Sequence, residues 1–183
     1  NEDYWRNFGK NKSSFIAPSL TWFGERATVT ASYSHRDYSA PFDRGTIFDL
    51  NTGHAVNVDR KTRFDEAFNI TDGYSDLAQL NAEYRLNDAW TARFDYSYSQ
   101  DHYNDNQARV MAYDSATGNL TRRVDGTHGS TQKMHSTRAD LQGNVVVGGF
   151  YNELLTGVAY ENYDLLRTDM LRCKNVKGFN IYH

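Results

Sequence analysis

The residues of this chain that could do chemistry are rings and guanidiniums, not nucleophiles or metal ligands. No G-x-S-x-G, C-x-x-C, phosphate-cradling glycine loop or H-E-x-x-H occurs. His35, His54, His102, His128, His135 and His183 stand singly, without the spacing that gathers imidazoles around a metal. Glu83 and Asp95 resemble an acid/base pair in type only, because Arg85 and Arg93 share their polar positions. The stretch Asp101 to Asn106 is rich in carboxylates and amides but lacks the glycine and alternate ligands of a calcium loop. Three sequons, beginning at Asn11, Asn69 and Asn119, are of the kind that arises by chance. What remains is Tyr38, Phe42, Arg44 and Phe48 in one polar stretch and Tyr103, Met111 and Tyr113 in another. Rings offer contact area at low entropy cost, while Tyr and Arg donate to ligand oxygens. That is binding chemistry, and neither an enzyme nor a resident cofactor or metal site is expected.

These residues must be held by strands. Ala78, Leu80, Ala82, Tyr84 and Leu86 alternate with Gln79, Asn81, Glu83 and Arg85. After Asn87-Asp88-Ala89 the pattern resumes, with Trp90, Ala92, Phe94, Tyr96 and Tyr98 against Thr91, Arg93, Asp95, Ser97 and Ser99. Period two over this span predicts a hairpin with one apolar and one polar face. An earlier unit reads the same way: Ile16, Pro18, Leu20 and Trp22, a Gly24-Glu25-Arg26 turn, then Val29, Ala31 and Tyr33. Pro18 donates no ladder hydrogen bond, so a strand end or bulge is expected there. A third unit runs through Ala139, Leu141, Gly143 and Val145, turns at Gly148-Gly149, and returns through Leu154, Thr156, Val158 and Tyr160. Leu155 interrupts its polar face.

Composition narrows the setting. The chain has 183 residues, a formal charge of −3, 39% hydrophobic residues and 14% aromatics. No polycationic field for nucleic acid is present. Its mean hydropathy is −0.76, and no stretch approaches the roughly 18 apolar residues of a spanning helix. A membrane β-barrel remains open, since its strands carry apolar residues only at alternate positions. The single cysteine, Cys173, either is free or has its partner beyond His183. The opening residues, Asn1 to Arg6, do not read as a signal peptide, so the chain is expected to be mature or part of something longer.

Spacing between the hairpins favours the barrel over a soluble sandwich. Turns within hairpins are short, whereas long polar segments run over about 38–75, about 101–133 and from about 162 onward. Loops longer than about 15 residues are uncommon in compact soluble domains. Short turns at one end and long loops at the other is the asymmetry of outer-membrane barrels, whose strands run to about 9 to 11 residues. The apolar sets also end in Trp22, Tyr33, Tyr84, Trp90, Tyr96 and Tyr98, as interfacial aromatic girdles require. The prediction is an all-β, antiparallel, up-and-down transmembrane segment with Leu80, Phe94 and Tyr96 facing lipid. Gln79, Arg93 and Asp95 then face a wet interior.

Several segments resemble TonB-dependent siderophore receptors. Ala17-Pro18-Ser19-Leu20-Thr21-Trp22, a turn, and Ala27-Thr28-Val29-Thr30 look like a descending and ascending strand pair of that family. Leu154-Leu155-Thr156-Gly157-Val158-Ala159-Tyr160 resembles its L-L-T-G-V-D-Y strand, and Phe179-Asn180-Ile181-Tyr182-His183 a loop start. With Asp43-Arg44-Gly45-Thr46, these are most similar to the ferric-hydroxamate branch, the ferrichrome and ferrioxamine receptors. The resemblance implies a partial barrel domain over 1–183, about six strands of a barrel of about 22, with the plug and remaining strands absent. Six strands cannot close, so unpaired edges and poor folding in isolation are expected. It also implies a bacterial outer-membrane transporter whose iron arrives already chelated. The partners implied are a ferric siderophore, outer-membrane lipid, and TonB through parts not present here. By rough position Arg44, Met111 and Tyr113 fall nearest the family's external pocket, with Tyr38, Phe42, Phe48 and Tyr103 completing the candidate surface. The competing readings are a non-transport adhesion barrel and a soluble β-sandwich binding module.

Overall fold

Alternating side chains leave the backbone nothing to do but pair sideways, and in this chain it does so almost throughout. The computed structural model describes residues 2–182, and no helix occurs among them. Ten strands form in chain order: β1 (Glu2–Asp3), β2 (Lys10–Ile16), β3 (Ser19–Phe23), β4 (Ala27–Pro41), β5 (Ile70–Arg85), β6 (Trp90–Asp114), β7 (Asn119–Val147), β8 (Phe150–Leu166), β9 (Leu171–Arg172) and β10 (Val176–Asn180). They pair antiparallel, with β4 to β8 each beside its sequence neighbour and both β2 and β3 on β4. Ala17 and Pro18 divide β2 from β3, as a residue without an N–H must, while the Pro18 carbonyl still accepts from Tyr33 N–H at 3.0 Å. The sheet is open.

Two expectations are corrected. The count is ten, not about six, because Pro18 splits one wall strand and β1, β9 and β10 add short pairings at the loop end. The polar segment 101–133 is no loop. β6 and β7 run 25 and 29 residues and meet in the tight turn 115–118, so the hairpin continues well past the apolar band. Polar composition hid this, since a ladder needs only backbone groups and most of this extension is polar, its apolar residues being few and close to the tip. The loop expected over 38–75 shrinks to 42–69, and β8 carries on to Leu166.

Register sorts the side chains into two faces. Trp22, Val29, Ala82, Phe94, Ala139 and Val158 make one cross-strand row. Leu20, Ala31, Leu80, Tyr96, Thr137 and Tyr160 make the next on the same face. Nothing packs on it: Leu20 and Val158 are each 74% exposed and Trp22 59%. The opposite face carries a charged lattice. Arg93 donates to Glu83 at 3.0 Å and Gln142 at 2.7 Å, Gln142 donates to Glu153 at 2.7 Å, and Asn81 donates to Asp95 at 2.6 Å. A sandwich would bury the apolar rows between sheets, and here no second sheet among the described residues covers them.

The apolar band has defined edges. At one end Tyr33, Tyr96 and Tyr98 turn their hydroxyls to Asp76 (2.5 Å), His135 (2.9 Å) and Gln100 (2.7 Å). The row beyond is polar across His35, Asp76, Gln100, Lys133 and Asp164, with Ile16 of β2 at its end. At the other end Trp90 lies flat across Gly143, where a Cβ would come within 2.2 Å of its ring. From Trp90 to Tyr98 is eight residues, roughly 27 Å along a strand and about 20 Å across a layer at a tilt of about 40°. That is close to the apolar height of an outer-membrane wall. Below it, the turn at Gly148-Gly149 takes φ of 60° and 83°, which side chains on L-residues resist.

Candidate functional site

The buried residues lie beyond the band, where loop 42–69 folds against the tall β6–β7 hairpin. Asn69 fastens it. Its Nδ2 donates to the carbonyls of Ala108 (3.2 Å) and Phe42 (3.4 Å), and its Oδ1 accepts from Ala108 N–H at 2.7 Å. Asn69 therefore completes the edge of β6 just where β5 begins, and it is 1% exposed. Two ion pairs brace the rest: Arg6 to Asp43 at 2.8 Å and Arg63 to Asp65 at 2.7 Å. Arg6 also reaches the Thr62 carbonyl. Burial pushes the Asp65 carboxyl up from the ordinary range, with Arg63 opposing. On the other side of the hairpin Arg122 pairs with Glu66 at 2.7 Å and sits 4.0 Å over the Phe179 ring.

Strand alternation puts Tyr103, Gln107 and Arg109 on the same face as Arg93 and Asp95, the hydrated one. Register sets Asp125 beside Gln107 and Arg123 beside Arg109. Arg123 clamps Asp125 through Nε at 2.7 Å and a terminal nitrogen at 3.0 Å, and Arg109 adds a longer contact of 3.4 Å. Those donors hold the Asp125 carboxyl below the usual carboxylate range, Arg123 contributing most. Arg44 donates from Nε to Gln107 Oε1 at 2.6 Å and stacks on Phe42 with 5.1 Å between guanidinium carbon and ring centroid. Arg44 and Arg109 line one cavity of about 220 Å³, with Ile47, Phe64, Asp65 and Val110. Lower on the same face, Tyr38 and Tyr103 flank Gly73 in a single row, and the Tyr38 hydroxyl occupies the space a side chain at Gly73 would take. Burial, then the Asp101 charge, pushes that hydroxyl up, so it remains a neutral donor.

The seven residues expected to bind ligand separate into two groups. Tyr38, Phe42, Arg44 and Tyr103 lie at the root of the extension, on or beside the hydrated face. Phe48, Met111 and Tyr113 lie toward the tip. Tyr113 is ten residues past Tyr103, roughly 33 Å along β6. There the Tyr113 hydroxyl is pushed up to about 12, chiefly by its hydrogen bond with Tyr182, then by burial and the charges of Asp49 and Asp114. Met111 and Tyr113 are strand residues, not loop residues, and Met111 marks a register shift between Val110 and Ala112. Sequence reasoning passed over Gln107, Arg109, Arg123 and Asp125. The alternation of Gln107 with Arg109 and of Arg123 with Asp125 was the available signal, masked by reading the span as loop. No group of histidine, cysteine or carboxylate side chains that could hold a metal occurs among the described residues.

No family model matches the chain. It is 25% identical over 181 residues to the metal-pseudopaline receptor CntO of Pseudomonas aeruginosa, covering 97% of this chain and 25% of that protein. The chain thus spans about a quarter of that relative's length. Among solved structures it superposes on BauA, the ferric preacinetobactin receptor of Acinetobacter baumannii, with a TM-score of 0.81 at 20% identity. That match covers all of this chain and 28% of BauA. The ferripyoverdine receptor of the Pseudomonas aeruginosa outer membrane gives a TM-score of 0.76 at 14% identity, over 87% of this chain and 22% of that one. The fold is similar to part of each of these receptors. The receptor class expected from the sequence agrees with these three receptors, and the expected outer-membrane location with the ferripyoverdine receptor.

Proposed function

We propose that this chain is part of the wall and outer mouth of a TonB-dependent receptor that binds a chelated metal, most simply a ferric siderophore, at the cell surface. The observation that carries the reading is the uncovered apolar band with aromatic edges, backed by a charged hydrated face. Only a hydrocarbon layer outside and water inside satisfy both faces at once. The arginine, tyrosine and glutamine groups that crown the hydrated face suit an oxygen-rich ligand, for which the protein need supply no metal ligands. A hydroxamate cargo, expected from the motif resemblance, is one member of that class. Energy coupling by TonB belongs to segments of the parent protein outside this chain, as does the plug that would close the lumen.

The test is genetic and direct. An iron-starved, receptor-null strain carrying the full-length gene should grow on at least one purified siderophore and fail on it when the gene is removed. Growth independent of the gene on every siderophore offered would refute the transport reading and leave the adhesion barrel in its place.

A further inference from the structure

We infer that the cavity between Arg44 and Arg109 selects a carboxylate-bearing, anionic metal chelate over a neutral one; this rests on the receptor reading above and names its cargo. Charge accounting drives the inference. Asp125 spends both oxygens on Arg123, at 2.7 and 3.0 Å, and Arg109 reaches it only at 3.4 Å. One carboxylate cannot neutralise two guanidiniums, so Arg109 keeps most of its charge. Arg44 has no carboxylate at all: its Nε is on an amide oxygen of Gln107 and its face on Phe42. Its two terminal nitrogens have no acceptor among the described residues, nor do Nε and the second terminal nitrogen of Arg109. The remaining charge on this cavity, Asp65, is taken up by its ion pair with Arg63 at 2.7 Å.

The surroundings make these donors effective. Ile47, Phe64 and Val110 line the same cavity, and Phe64 is 4% exposed. A guanidinium beside apolar walls is worth more to an incoming anion than one in open water. Gln107, 1% exposed, fixes Arg44 from below, so little side-chain entropy is left to lose on binding. Guanidinium forks match a planar carboxylate through paired N–H donors. Hydroxamate oxygens, by contrast, are turned inward onto iron and give a neutral shell that needs no such pair. A cavity of about 220 Å³ holds one carboxylate arm of a chelate, not the whole complex.

The experiment uses the full-length receptor in detergent and two probes, ferric citrate as the anionic chelate and ferrichrome as the neutral hydroxamate. Variants Arg44→Gln and Arg109→Gln are compared with Arg60→Gln, an exposed arginine elsewhere in loop 42–69. The expected result is tighter binding of ferric citrate, weakened about tenfold by each cavity substitution and by raised salt, with Arg60→Gln unchanged. Equal affinity for the two probes, or equal losses for all three variants, would overturn the inference while leaving a chelate receptor standing. Binding of neither probe, nor of any other ferric chelate, would remove the receptor reading itself and this inference with it.

Discussion

Removing the Asn69 side chain should unfasten the mouth without disturbing the wall. In Asn69→Ala the N–H and carbonyl of Ala108 both lose their partners, and the Phe42 carbonyl loses its donor. An unpaired buried backbone group costs about 1–3 kcal/mol. Water entering the loosened site recovers part of that, so a net loss of about 2–4 kcal/mol is expected for loop 42–69. In exchange terms the loop should open roughly 30- to 700-fold more often. Hydrogen exchange measured by mass spectrometry on the full-length receptor reads this at the peptide containing Ala108, with a peptide from the band, such as one around Phe94, as reference. Asn69→Asp should be no better than alanine, because it keeps the acceptor but sets a carboxylate oxygen against the Ala108 carbonyl. Since Arg44 stands in the same loop, chelate affinity should fall in parallel. Unchanged exchange at Ala108 in Asn69→Ala would refute the claim that this residue holds the loop to β6.

Three other outcomes follow from the geometry. Gly143→Val should displace Trp90, whose ring stands 2.2 Å from the new Cβ, and cost about 1–3 kcal/mol; denaturant unfolding and tryptophan emission of the full-length receptor both report it, and no change in either would refute the close approach. Phe94→Arg, at mid-band on the uncovered face, should cost about 2–4 kcal/mol and Asn81→Arg, on the hydrated face, far less; equal costs would contradict the two-face assignment. Tyr113 has its folded pKa raised to about 12, so its neutral form favours the folded tip below the ordinary value near 10, and that contribution disappears as pH climbs from 10 toward 12. In an absorbance titration near 295 nm, Tyr182→Phe should bring one late phenol back toward 10, whereas an identical profile would show that the two rings do not share a hydrogen bond.

Much of this architecture was legible because lipid and water impose period two on a wall strand. The alternation from Ala78 to Tyr98, the break at Pro18 and the paired glycines at 148 and 149 each fixed an element at its observed place. Legibility ended where a strand becomes mostly polar. Residues 101–133 carry only a short apolar set, Ala108, Val110 and Ala112 with Val124 across from Ala108, set among charged and amide residues, and composition does not distinguish such a standing hairpin from a loop. The site suffered the same loss. Residue type points to Arg44, Phe42, Tyr38 and Tyr103, which lie on or beside one surface, and equally to Phe48, Met111 and Tyr113, which stand toward the tip. Gln107 and Arg109 become significant only once register places Arg123 and Asp125 across from them.

Lipid accessibility of alternate positions in β5, β6 and β8 tests the central claim most directly. In the full-length receptor with Cys173→Ser, single cysteines at Leu80, Phe94 and Val158, and at Gln79, Arg93 and Ala159, would each carry a spin label in phospholipid vesicles. The first set should collide with dissolved oxygen in the bilayer and resist a water-soluble relaxation agent, and the second set should do the reverse. Labels at Phe94 and Arg93 with the same accessibility, or a pattern inverted between them, would contradict the account.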